Sequence, residues 1–217
     1  MNRTSRTVAI PPLGLRGILM PPAAGRGVVV FAHGSGSSRL SPRNTAVAAT
    51  LWQRGLGALL FDLLLPEEGE DRSKVFDIAL LARRLVQATD WLLSPAGVGG
   101  AVPVGYFGAS TGSAAALVAA GERAQVVRAV VSRGGRPDLA RPEALRRVTM
   151  PTLLLVGRLD GEVLALNRAA AAELGGEHHV AVVEGASHLF AEPGTLETVA
   201  RLAADWFDAR LQREEQA

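Results

Sequence analysis

Apolar residues recur along the chain in two periodicities. Residues 27–32, 58–63, 102–109, 126–131 and 150–156 are near-continuous runs rich in Val, Leu, Ala and Phe, the pattern of strands covered on both faces. A last, shorter run spans 179–183. Between these runs apolar positions return every three or four residues, which predicts helices packed by one face. Ala46, Val47, Ala49, Leu51 and Trp52 mark one over 41–53, with Ser41 as cap and Pro42 as first helical residue. Ile78, Leu81, Leu85, Ala88 and Leu92 mark another, predicted from a Ser73 cap to about Leu93. Further helices are expected over 163–174 and, through Leu196, Val199, Ala200, Ala203 and Trp206, from about Thr195.

Two short segments precede these, 8–10 and 17–20, each followed by a Pro-Pro pair. Proline is tolerated at sheet edges and turns, so both are expected as antiparallel edge strands. Residues 65–74 carry Glu67, Glu68, Glu70 and Asp71 and read as a solvated acidic loop, while 142–147 reads as a short polar helix. Strands alternating with helices of this length predict right-handed crossovers and a mostly parallel sheet with helices on both faces. With 217 residues, no internal repeat and no linker composition, a single domain over 1–217 is expected, frayed at 1–7 and 212–217.

The sequence pI of about 9.9 suggests a nucleic-acid partner until the charges are counted. The formal net charge is only +2, and Lys74 is the sole lysine, so a small arginine excess raises the pI. No basic run with interleaved aromatics occurs, and no nucleic-acid partner is expected. The absence of cysteine excludes disulfides, thiolate metal sites and a cysteine nucleophile. The first twelve residues lack the apolar stretch of a signal peptide and no apolar run reaches membrane length, so a cytoplasmic protein with no membrane partner is expected. Exposed edge strands near the amino terminus leave room for a homodimer.

The chemistry centres on Gly108-Ala109-Ser110-Thr111-Gly112, a G-x-S-x-G turn. An apolar strand precedes it, and a helix of small residues follows at 113–120, predicted to close at Gly121. This is the pattern of a nucleophile elbow, where a serine sits on a sharp strand-to-helix turn above the sheet. Glycines two before and two after the serine are needed because strand and helix pass too close for a Cβ. Ligands in doubly wound sheets bind beyond the carboxyl ends of the strands, and Ser110, Asp160 and His188 all follow such ends. A serine hydroxyl needs an imidazole to take its proton, and the imidazole needs a carboxylate to fix its tautomer.

Each residue also has a structural alternative. Asp160 would serve equally to cap the following helix, and His188 could be a buried structural histidine. Asp62 is the second candidate for the acid, and His33 is expected to brace its loop through a hydrogen bond. His178 and His179 fall at a strand entrance on the far side of the sheet. No pair has zinc-site spacing, so neither metal nor cofactor is expected.

The order Ser, Asp, His is that of the α/β-hydrolases. The residues Phe31-Ala32-His33-Gly34-Ser35-Gly36-Ser37-Ser38, those from Gly105 to Gly112 and from Gly157 to Asp160, and Gly185-Ala186-Ser187-His188 resemble the small α/β-hydrolases grouped with dienelactone hydrolase. The resemblance covers roughly residues 8–210 and implies an α/β-hydrolase fold. It also implies Ser110 as nucleophile, His188 as base and acid, Asp160 as its orienter, and the N–H groups of Ser35 and Thr111 as oxyanion hole. Dienelactone hydrolases in the strict sense use a cysteine nucleophile, which is absent here, so their lactone substrate is not carried over.

About twenty residues separate the strands ending near Val131 and starting near Thr152, too few for a lid domain. An open, shallow site for a small acyl substrate is expected. Arg39, Arg133, Arg136 and Arg158 all follow strand ends and could attract an anionic substrate, but a solvated role is the favoured reading. The function expected is hydrolysis of a carboxylic ester or thioester through an acyl-serine. An acyltransferase or peptidase using the same triad, and a binding or regulatory protein that kept the fold, are the alternatives.

Overall fold

The computed structural model describes residues 3–212. Within them β1 (Arg6–Ile10), β2 (Leu15–Met20), β3 (Val28–Ala32), β4 (Gly57–Phe61), β5 (Val104–Ala109), β6 (Val127–Arg133), β7 (Thr152–Gly157) and β8 (His178–Val183) form one sheet in the order β1-β2-β4-β3-β5-β6-β7-β8. The β1–β2 and β2–β4 pairs are antiparallel and all others parallel. The predicted apolar runs are the inner strands, and every residue of β3, β4, β5 and β7 is buried.

Two helical layers cover the sheet. The helices α1 (Pro42–Gln53) and α8 (Thr195–Asp208) bring Val47, Leu51, Val199, Ala203 and Phe207 against Phe31, Leu60 and Phe107. On the other face α4 (Ile78–Leu93) and α5 (Thr111–Glu122) pack Leu81, Leu85, Leu92, Ala115 and Ala119 against Val30, Tyr106 and Leu154. Three short helices, α2 (Pro66–Gly69), α3 (Arg72–Val75) and α6 (Pro142–Leu145), and the longer α7 (Gly161–Ala171) complete the chain. Only a 3-10 turn (Pro137–Leu139) and α6 lie between β6 and β7, so no lid covers the strand ends.

Several expectations are corrected. Only β1 is an edge strand at the amino end; β2 is internal, paired on both sides. Of the stretch 1–7 expected to fray, residues 3–7 are held in place, because β1 begins at Arg6 and the Arg3 Nη2 donates to the Trp52 carbonyl at 2.6 Å, and residues 1–2 lie outside the described residues. Gln212 bridges to Arg26, and the rest of the expected frayed tail, 213–217, lies outside the described residues. The acidic stretch is solvated at Glu67, Glu70 and Asp71, as expected, but it is not simply a loop. It folds into α2 and α3, and Glu68 is drawn in by the Leu65 N–H at 3.0 Å, Arg84 at 3.2 Å and Lys74 at 3.7 Å. Ser73 does not cap α4; Asp77 does, accepting from the Leu80 N–H at 2.9 Å. The helix after the elbow does not close at Gly121 but runs to Glu122. A methyl at 121 would lie 3.1 Å from Arg147 Cβ and 3.4 Å from the Ala144 carbonyl, so this glycine serves a close helix approach.

Candidate active site

Ser110 sits between β5 and α5 with φ 50° and ψ −123°, a backbone conformation that costs a non-glycine residue about 1–3 kcal/mol. The turn is held open by its neighbours: the Ser110 N–H donates to the Arg133 carbonyl at 3.2 Å, and the Arg136 N–H donates to the Ser110 carbonyl at 3.1 Å. The two elbow glycines answer the steric requirement. A methyl at Gly108 would lie 2.5 Å from Ser113 Cα, and one at Gly112 would lie 2.2 Å from the Ala32 carbonyl oxygen.

Asp160 occupies the N-cap position of α7, yet its side chain caps nothing. Its Oδ2 instead meets His188 Nδ1 at 2.6 Å, with the carboxylate 15% and the imidazole 38% exposed. That bond fixes the imidazole with its proton on Nδ1 and leaves Nε2 free to accept. The loop after β6 touches both this dyad and the serine. It bonds the backbone of Ser110 on one side, and a methyl at Gly134 would lie 3.7 Å from His188 Cε1 on the other. Asn167 of α7 holds this loop through the Gly135 carbonyl at 2.9 Å, and Glu192 steadies the histidine loop by accepting the Ser187 N–H at 3.1 Å. Sequence reasoning missed both; the Gly134-Gly135 pair after a strand end was the available signal.

The loop after β3 lies across the serine. A methyl at Gly34 would sit 3.0 Å from Ser110 Cβ and 3.7 Å from its Oγ. The Ser35 N–H donates to Thr111 Oγ1 at 2.8 Å, so the two residues expected to hold an oxyanion are joined directly. His33 braces this loop as expected. Its Nε2 accepts from the Leu63 N–H at 3.1 Å, which puts the proton on Nδ1, 3.0 Å from the Gly34 carbonyl. Burial is the main cause holding its pKa below the usual 6.5, against the opposing pull of the Gly34 carbonyl and the Asp62 charge.

Asp62 is not the triad acid. It is taken by Arg39, through both the Arg39 N–H and its guanidinium. The other arginines do not form a free cationic rim either. Arg136 pairs with Asp138 at 2.7 Å and Arg158 with Glu184 at 2.6 Å. Arg133 is buried near Phe190, its Nε and Nη1 without hydrogen-bond partners, and burial together with the nearby Arg43 charge lowers its pKa to about 10. His178 and His179 are exposed at the start of β8.

The site is lidless but not shallow throughout. Beside the Gly34–Arg39 loop opens a cavity of about 420 Å³, reached by Ser35 and Thr111, with an apolar wall of Leu15, Leu63, Leu64, Leu65, Val75 and Leu81. Sequence reasoning missed it, although Leu63-Leu64-Leu65 extends the apolar run beyond a strand's need. Among the described residues no group of three or more His, Cys, Asp or Glu could hold a metal ion, and no helix is long and apolar enough to cross a membrane.

Residues 25–204 match the alpha/beta hydrolase domain family. A Mycobacterium tuberculosis protein, named as a candidate phosphoribosyl transferase in two strains, is 56% identical over 200 residues, 92% of this chain but 45% of its own length. This chain thus spans about half the length of the curated relatives it matches. The structure of a dienelactone hydrolase from Anabaena variabilis is 52% identical, with a TM-score of 0.89 over 97% of this chain and 99% of that one. Est1E from Butyrivibrio proteoclasticus shares the fold at 14% identity, with a TM-score of 0.78 over 94% and 98% of the two chains. The sheet order, the elbow and these matches together identify the chain as an α/β-hydrolase of the dienelactone hydrolase-like group.

Proposed function

We propose that the chain hydrolyses a carboxylic ester or thioester through an acyl-Ser110 intermediate. The observation that carries this reading is the Asp160 carboxylate, which stands at a helix N-cap, caps nothing, and binds His188 Nδ1 at 2.6 Å. His188 Nε2 takes the Ser110 Oγ proton as Oγ attacks the carbonyl carbon, and the negative oxygen is held by the N–H groups of Thr111 and Ser35. The Ser35 N–H exchanges its bond to Thr111 Oγ1 for the oxyanion. His188 then protonates the departing oxygen or sulfur. A water, deprotonated by His188, cleaves the acyl-enzyme, and the acid leaves with Ser110 restored. Asp160 stabilises the imidazolium in both halves.

The same residues would serve an acyl transfer to an alcohol or amine, but the half-exposed His188 side chain and the absence of a lid between β6 and β7 favour water as acceptor. Phosphoribosyl transfer, the activity in the name of the M. tuberculosis relatives, belongs to proteins about twice this length. The Ser110, His188 and Asp160 arrangement supports acyl chemistry for the shared stretch.

The test is labelling by a fluorophosphonate probe, compared with Ser110→Ala and His188→Ala. Labelling of the native chain and loss in both variants is the expected result. A folded native chain that does not label would move the function to binding or regulation on a hydrolase fold.

A further inference from the structure

The cavity beside the oxyanion loop is bounded by Gly34 and Ser35 on one wall and by Leu15, Leu63, Leu65, Val75 and Leu81 on the other. At about 420 Å³ it falls in the size range of small-molecule sites, ~300–1,000 Å³. Its polar wall groups are neutralised. Asp62 is paired with Arg39, and burial, the main influence, holds His33 toward its neutral form. Only the exposed Arg16 brings an uncompensated charge, at the mouth. Three exposed apolar residues are chain neighbours of the cavity's lining residues: Leu13 at 39%, Leu40 at 58% and Phe76 at 44% exposed. Each adjoins a lining residue, Gly14, Arg39 and Val75 respectively. A single exposed leucine means little, but three large apolar side chains on segments that line one cavity favour a place where apolar surface is buried on binding.

The strand order says which half of a substrate goes there. Ser110 follows β5, whereas Asp160 and His188 follow β7 and β8, on one side of it. The cavity lies over the carboxyl ends of β3 and β4 and the start of the antiparallel β2, on the other side. The leaving group must lie against His188, which protonates it. With the carbonyl carbon on Ser110 Oγ and its oxygen in the hole, the acyl chain points the opposite way. Gly34 lines the cavity and also adjoins Ser110, where a methyl on it would lie 3.7 Å from Oγ, so no side chain at this position separates the two.

We infer that this cavity is the acyl-chain site, and that the enzyme acts on esters or thioesters of unbranched apolar acids of medium length. The inference rests on the acyl-Ser110 reading. It is tested with p-nitrophenyl acetate, butyrate, hexanoate and octanoate on the native chain and on Leu65→Trp and Val75→Trp. Both substituted residues are only partly buried, so the fold tolerates the larger ring.

On the native chain kcat/KM is expected to rise about fourfold per added methylene until the cavity is filled. Each Trp variant is expected to lower the octanoate-to-acetate ratio at least tenfold. A parallel series of alkyl acetates, which varies the alcohol, is expected to respond to neither variant. Failure of the native chain both to hydrolyse acetate and to label with fluorophosphonate overturns the acyl-Ser110 reading, and this inference with it. Acetate hydrolysis with labelling, but with an acyl series that is flat or untouched by both variants, overturns the acyl-chain site alone. Loss of the alkyl acetate series in the Trp variants assigns the cavity to the alcohol and also overturns it.

Discussion

Replacing Gly112 with alanine tests whether the elbow is as tightly built as its geometry implies. The new methyl would lie 2.2 Å from the Ala32 carbonyl oxygen and 2.4 Å from that of His33, where ordinary contact begins near 3.4 Å. Both obstacles are backbone, so no side chain can rotate aside. Relief requires α5 and the end of β3 to part by roughly 1 Å, and overpacking of this kind costs about 1–3 kcal/mol, the upper end applying to backbone. For a domain of this size that lowers Tm by roughly 6–12 °C. The same movement pulls Thr111 from Ser35, which now share a 2.8 Å bond, and a misplacement of about 1 Å costs turnover on the order of a hundredfold. Thermal melting and esterase rates measure both effects. Gly161→Ala is the control, since a methyl there meets nothing within 4 Å and φ is not positive. A Gly112→Ala protein that melts within a degree or two of the native chain and retains full activity would refute the reasoning.

Asp160→Asn is expected to lower kcat by about 10⁴-fold, because an amide selects the wrong imidazole tautomer. Since the carboxylate caps no helix N–H, Tm should stay within about 2 °C; a large fall in Tm with activity kept would instead make Asp160 a helix cap. Tyr106 is the only tyrosine, buried and joined to Thr89 Oγ1 at 2.8 Å, and burial is the main cause raising its pKa well above the usual 10. The unfolded phenol ionises above pH 10 while the folded one stays neutral, so stability is intact below pH 10 and then falls by about 1.4 kcal/mol per pH unit. Ultraviolet titration should detect no tyrosinate before alkaline unfolding; a smooth ionisation near pH 10 in the folded state would contradict this.

The sequence made most of the framework legible where burial is complete. The inner strands read clearly because both faces are covered, leaving no polar alternation to misread. The elbow read clearly because a sharp turn between crowded elements admits few residue types. What escaped was decided by tertiary partners. Ser73 and Asp77 are equally good caps in isolation, and packing chose Asp77. Glu68 looks solvated until Arg84 and Lys74 fold over it. Gly121 resembles a helix stop and is instead a point of helix contact. Asp160 and Asp62 are both acids after strand ends; only the position of Arg39 and His188 in space separates them. The leucine-lined cavity escaped because its walls come from five separate elements and loops, with no local signature in any one of them.

The sheet order also sets how the site comes apart. Ser110 leaves β5, which is buried at every position and flanked by β3 and β6. His188 follows β8, a strand paired only with β7 and buried at Val183 alone. The proposed nucleophile and base therefore hang from parts of the sheet with different local stabilities, since opening free energies rise from the margins of a fold to its core. Under mild denaturant β8 and the Glu184–His188 turn are expected to open while the interior around β5 is still closed, so that the proposed activity is lost ahead of the global transition. The amides of β8 should exchange with solvent before those of β5, and a few residues of fraying rather than unfolding would then suffice to end catalysis.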